Sequence, residues 1–162
     1  MLDFTTLYER HAGDVLRFAL YLTGNRAEAE DIVSETFTRV WTARERVELN
    51  TVKGYLFTIA RNLHLHERRR KLRQGEFRDE PADGGPGPEA AVCERDELDA
   101  VLAALEDFSE VDRTALLLRA REGLPYEEIA GVLGLSLAAV KVKIHRARRK
   151  LAERFRQPEE RR

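Results

Sequence analysis

Seven of the eleven residues in VKVKIHRARRK, residues 140 to 150, are basic. Lysine and arginine at that density neutralise a polyanion and displace its counterions. At about 100° per residue on a helix, Val140, Ile144, Ala147 and Leu151 fall within roughly 60° of arc and form an anchoring stripe. Opposite them lie Ala138, Val142, His145 and Arg149, flanked by Lys141 and Arg148 on one side and by Ala139, Lys143 and Arg146 on the other. Short residues between long basic ones let a helix approach base edges while its flanks reach phosphates. Lys141 and His145 are placed to donate to purine acceptors, and Val142 or Ala138 to touch a thymine methyl. Lys143, Arg146 and Arg149 suit docking on the backbone without reading sequence. A solvated basic helix with an ordinary core face has the same charge pattern. What favours DNA docking is the segment before it.

A second basic array lies in ELNTVKGYLFTIARNLHLHERRRK, where residues 61 to 73 carry six Lys and Arg against Glu67. The outward positions of its helix are read as Gly54, Thr58, Arg61, Asn62, Leu65, Arg68 and Arg69, with Tyr55, Phe57 and Trp41 close by. Aromatic rings beside cations and amides form a surface on which unpaired bases stack. Packing of Tyr55 and Trp41 into a core explains them equally well. A third array is acidic: Glu28, Asp31 and Glu35 recur at i, i+3, i+7, either a solvated face or a dock for a positively charged partner helix.

Other chemistries find no residues. There is one cysteine, Cys93, so neither a disulfide framework nor a Cys-rich metal site is expected. His64 and His66, two apart, project from different sides of a helix, and neither metal nor cofactor is predicted. No nucleophile–base pair or phosphate-cradling glycine loop is present, so no enzymatic activity is expected. MLDFTTLYERH lacks the basic start and apolar run of a secretory signal, and no stretch approaches about 18 apolar residues. The expectation is a cytoplasmic protein with no membrane insertion.

The elements that must position these arrays are helical throughout. With 43% hydrophobic residues the 162-residue chain can bury a core, and its net charge of −1 averages over opposing blocks. Between the basic arrays, residues 76 to 99 hold nine acids against Arg78 and Arg95. Inside that block EPADGGPGPEA, with three prolines and three glycines, reads as a flexible connector. Residues 74 to 92 as a tether would span at most about 60 Å.

Before the connector, one stripe (Phe4, Leu7, Tyr8, His11, Val15, Phe18, Ala19, Leu22) marks a first helix ended by Gly24. Asn25 with Glu28 resembles a capping box opening a second, with Ala29, Ile32, Val33, Thr36, Phe37 and Val40 inward. A third begins near Asn50 or Thr51 and carries Val52, Leu56, Ile59, Ala60 and Leu63. After the connector, Leu98, Val101, Leu102 and Leu105 mark a fourth helix, and Ser109 with Asp112 caps a fifth. YEEIAGVLGLSLAAVKVKIHRARRKL then reads as helix, tight turn at Gly134-Leu135-Ser136, and helix, the pairing that places its second member in a major groove. The predicted fold is all-α: two small helical domains, 1–73 and 93–156, joined by the flexible linker 74–92 and followed by a tail, 157–162.

AEAEDIVSETFTRVW (27 to 41), GYLFTIARNLHLHERRR (54 to 70) and GLPYEEIAGVLGLSLAAVKVKIHRARRKL (123 to 151) resemble, in order and spacing, region two and region four of the extracytoplasmic-function sigma factors, small members of the bacterial sigma-70 family. The resemblance implies an initiation subunit that binds core RNA polymerase, on the beta-prime clamp and the beta flap, and directs it to promoter DNA. It implies that Glu28, Asp31 and Glu35 face the clamp. Glu48 to Val52, with Asn50 and Thr51 foremost, would capture a base flipped from the minus-ten element. Arg61, Asn62, Arg68 and Arg69, with Arg70, would face minus-ten DNA. Ala138, Lys141, Val142, Lys143, His145, Arg146 and Arg149 would meet the minus-thirty-five element. An anti-sigma partner is also implied. A free-standing helix-turn-helix regulator is the alternative, and it leaves residues 27 to 70 without a role. Two departures from the family pattern stand out: Pro125 replaces the usual Ser or Thr cap, and Val142 occupies a position where a small polar residue is frequent.

Overall fold

The structure, a computed structural model, describes residues 3–47, 52–75, 100 and 103–156. Six helices have both ends among these residues: α1 (Phe4–Thr23), α2 (Arg26–Thr42), α3 (Val52–Arg73), α4 (Glu110–Ala120), α5 (Tyr126–Leu133) and α6 (Leu137–Arg156). A short 3-10 turn, Arg44–Arg46, follows α2, and no strand occurs among the described residues. The chain divides into two compact units, Met1–Gly87 and Pro88–Arg162. Much of the acidic connector, including Cys93, lies outside the described residues, as do Leu98, Val101 and Leu102 of the expected fourth helix and the tail; residues 103–105 are helical, with Ala104 and Leu105 buried.

In the first unit α1, α2 and α3 pack pairwise around one core. Asp3 starts α1 by accepting from the Thr6 amide at 3.1 Å, and Gly24, at φ 63°, ends it in the left-handed conformation that glycine adopts without strain. Asn25 Oδ1 accepts from the Glu28 amide at 3.1 Å. That is one half of the expected capping box; the Glu28 carboxylate turns instead to Lys71 on α3. Val15, Phe37, Val40, Leu56 and Phe57 are essentially inaccessible, and Phe18 meets Phe57 edge to face at 4.8 Å. Each such ring removed from water stabilises the fold by about 1.5–3 kcal/mol.

The second unit is held by pairwise packing of α4, α5 and α6. Ser109 Oγ accepts from the Asp112 amide at 3.2 Å and starts α4 as expected. Gly134, at φ 66°, turns the chain out of α5, and Ser136 Oγ accepts from the Ala139 amide at 3.1 Å to start α6. Pro125 precedes α5 with no side-chain cap. Its carbonyl serves instead, accepting from the amides of Glu128 and Ile129, both at 3.1 Å. Arg119 pins the same loop, donating to the Leu124 carbonyl at 3.0 Å while its guanidinium stacks 4.4 Å from the Tyr126 ring.

Candidate nucleic-acid interfaces

The anchoring stripe of α6 is buried as its periodicity demands: Val140, Ile144 and Ala147 are inside, and Leu151 packs against Leu105, Phe108 and Leu116. That seating turns Ala138, Lys141, Val142, His145, Arg146, Arg148 and Arg149 outward, all exposed. Val142 shows 46% of its surface, an apolar group held against water by a helix anchored elsewhere. Lys143 differs from the expectation. Its ammonium lies 3.2 Å from the Asp112 carboxylate of α4, so the cation read as a backbone contact is already engaged within the unit. Arg148, which sequence reasoning placed only on a flank, is exposed beside Lys141.

The face of α3 is rotated from the one read in the sequence. Arg61 (8% exposed) and Gly54 are buried, which corrects their assignment to the outward face; Phe57, read as lying close by, is buried too. The cause is that α3 packs against both α1 and α2, so its buried arc extends beyond the Val52, Leu56 and Ala60 stripe to Phe57, Arg61 and Gly54. Exposed instead is a stripe at heptad spacing, Tyr55, Asn62 and Arg69, joined by His66. Asn62, His66 and Arg69, with Leu63, Leu65 and Arg39 of α2, line an open groove between the two helices. Arg39 was missed because it belongs to no charge run, and His66, inside the 61–73 array, was weighed only as a metal ligand; the spacing 55, 62, 69 was the available signal for the exposed stripe.

Arg68 is exposed as expected. Arg70 is engaged along the helix, to Glu67 at 2.5 Å and Gln74 at 3.1 Å, and that contact holds the Glu67 carboxyl below its ordinary pKa. Trp41 resolves towards packing: it is half-buried, edge-on to Phe4 at 5.4 Å, with the Arg44 guanidinium 4.3 Å from its ring. Tyr55 stays 38% exposed, the one ring of the three left on the surface. Asn50 and Thr51 lie outside the described residues.

On α2 the acidic face is split by its partners. Glu28 pairs with Lys71, and Glu35 accepts from Arg39 at 2.8 Å. Asp31 is exposed and has no ion pair among the described residues.

Residues 7–74 match Sigma-70 region 2, and residues 98–151 match Sigma-70 region 4. The chain is 36% identical over 160 residues to the ECF RNA polymerase sigma factor SigE of Mycolicibacterium smegmatis, a match covering 94% of this chain and 62% of SigE. It is 33% identical over 149 residues to the ECF RNA polymerase sigma factor SigL of Mycobacterium tuberculosis, covering 90% of this chain and 84% of SigL. The chain belongs to the ECF RNA polymerase sigma factors. Among solved structures, this ECF sigma factor is similar to RpoE of Bartonella quintana, seen in complex with the anti-sigma factor NepR: 27% identity, TM-score 0.76, covering 96% of this chain and 98% of that one. The α3 face and its groove fall in region 2, and α6 with its outward basic face falls in region 4. No helix among the described residues of this sigma factor is long and apolar enough to cross a membrane.

Proposed function

We propose that this ECF sigma factor binds core RNA polymerase in the cytoplasm, directs it to specific promoters and assists strand separation there, with no bond-breaking chemistry of its own. The observation that carries this reading is the pairing, in one chain, of a region 4 helix anchored by Val140, Ile144 and Ala147 with a region 2 helix whose exposed stripe is Tyr55, Asn62 and Arg69. A duplex element needs the first; unstacked bases need the second. In this division of labour residues 1–73 hold core polymerase and the minus-ten element, residues 93–156 hold the minus-thirty-five element, and residues 74–92 tether them.

Lys141, Val142 and His145, with Ala138, face base edges of the upstream element, while Arg146 and Arg149 reach its phosphates. Asn62, Arg68 and Arg69 face the minus-ten region, and Asn50 and Thr51 hold a flipped base whose binding offsets part of the unstacking cost. Asp31, flanked by Glu28 and Glu35, docks on the beta-prime clamp, and the second unit meets the beta flap. Complex formation by the similar RpoE with NepR supports an anti-sigma partner for this chain too.

The test combines the purified chain, core polymerase lacking a sigma subunit, and a fork-junction promoter probe. Tight probe binding that requires both proteins is expected. A free-standing regulator would bind duplex alone and ignore core, and that result would overturn the proposal.

A further inference from the structure

Three cations of α6 share one flank and meet one short segment. Lys143 pairs with Asp112 at 3.2 Å, the Lys150 ammonium lies 5.1 Å from the Phe108 ring, and Arg154 pairs with Asp107. On the wheel positions 143, 150 and 154 lie within roughly 40° of one another. They adjoin the buried stripe, and all three partners fall in residues 107–112. On the other side, Lys141, Arg148 and Arg149 lie within roughly 100° of one another around His145. No ion pair to described residues engages any of those three, and all are exposed. The basic helix is therefore uneven: the cations beside the buried stripe, Lys143, Lys150 and Arg154, meet residues 107–112, whereas those nearer His145, Arg146 included, are exposed.

We propose that Asp112 is a positioning residue for promoter docking: by holding Lys143 against α4 it withholds that cation from the phosphate backbone and leaves Arg146, Arg148 and Arg149 to set the electrostatic docking of α6. This deepens the proposed function and rests on its placement of α6 on duplex DNA. Position matters as much as charge. Lys143 and His145 project roughly 160° apart, whereas Arg148 projects roughly 60° from His145. A half-exposed ion pair is weak, about 0–1 kcal/mol. It suffices here because Lys143 projects beside the buried stripe and must swing its long stem around the helix to reach a phosphate.

The test is the salt dependence of binding of the chain assembled with core polymerase to a fluorescent fork-junction promoter probe that carries the upstream duplex element, followed by anisotropy. Each phosphate contact adds about 0.9 to the slope of log K against log salt, so a threefold rise in salt weakens binding roughly 2.7-fold more per contact. Lys143→Met is expected to leave the slope at the wild-type value. Asp112→Asn is expected to steepen it by about one contact, and Asp112→Asn with Lys143→Met to return it to wild type. Arg149→Met and Arg148→Met should each flatten it by about one contact. Flattening by Lys143→Met alone, or an unaltered slope in Asp112→Asn, overturns the proposal. A merely structural Asp112 would lower the melting temperature without moving the slope. An unaltered slope in Arg149→Met and Arg148→Met would refute duplex docking by α6, and the inference with it; flattening there without steepening in Asp112→Asn would refute the inference alone. Since Lys143→Met removes only a partly exposed side chain, the comparison survives even if Asp112→Asn unfolds the unit.

Discussion

Neutralising the three acids of α2 one at a time should separate them, although their spacing makes them look equivalent. Among the described residues Asp31 makes no ion pair, whereas Glu28 already pairs with Lys71 and Glu35 with Arg39 at 2.8 Å. A cation of the polymerase arriving about 4 Å from Asp31 gains roughly 4 kcal/mol of gross attraction at an effective dielectric constant of 20. Desolvation and side-chain ordering remove much of it, leaving about 1–2 kcal/mol. Glu28 and Glu35 exchange one cation for another, so their net contribution is expected below about 0.5 kcal/mol.

Asp31→Asn should therefore weaken core binding by roughly 5- to 30-fold, and Glu28→Gln and Glu35→Gln by about twofold or less. The assay is equilibrium titration of labelled chain with core polymerase at fixed salt, with thermal melts of each variant alongside. Because the pair to Lys71 joins α2 to α3, only Glu28→Gln should also lower stability, by up to about 1 kcal/mol. Equal losses for all three acids, or the greatest loss at Glu28, would refute this reasoning about prior partners.

Three further outcomes are expected. Thr36 is fully buried and its hydroxyl has no hydrogen-bond partner, so Thr36→Val should stabilise the first unit by about 1–2 kcal/mol. Trp41, the one tryptophan, reports that unit in urea, where the midpoint should rise by about 1 M. Burial holds the His11 imidazole below its ordinary pKa of 6.5, so its contribution to stability is complete above pH 6.5 and lost as pH falls through the lower folded value; His11→Gln should flatten that part of the melting profile. His145→Ala should weaken recognition of the upstream element by about 1–3 kcal/mol while leaving core affinity unaltered, measured as competition between probes with and without that element.

What the sequence disclosed depended on how many neighbours each helix has. On α6 a narrow stripe faces its own unit, so a wheel drawn from Val140, Ile144 and Ala147 places the exposed face correctly. On α3 two helices press from different directions, and a single stripe understates what is buried. Arg61 and Gly54 looked outward because the wheel counted one packing partner. Caps were legible at Asn25 and Ser109, since a short polar side chain three residues before an amide needs only local geometry. Ion pairs between distant residues were not: Lys71 with Glu28 and Lys143 with Asp112 require knowing which helices adjoin.

The same distinction bears on function. Charge density identified both basic arrays, but density cannot say which cations remain available once the unit has folded. Lys143, Lys150 and Arg154 contribute as much positive charge to the composition as Lys141, Arg148 and Arg149, yet only the second set stands clear of the 107–112 segment. The electrostatic footprint on DNA is therefore smaller than the sequence charge implies. On the proposal made above, an acidic residue that touches no nucleic acid sets it: Asp112, by engaging Lys143, would subtract up to one phosphate contact from the salt dependence.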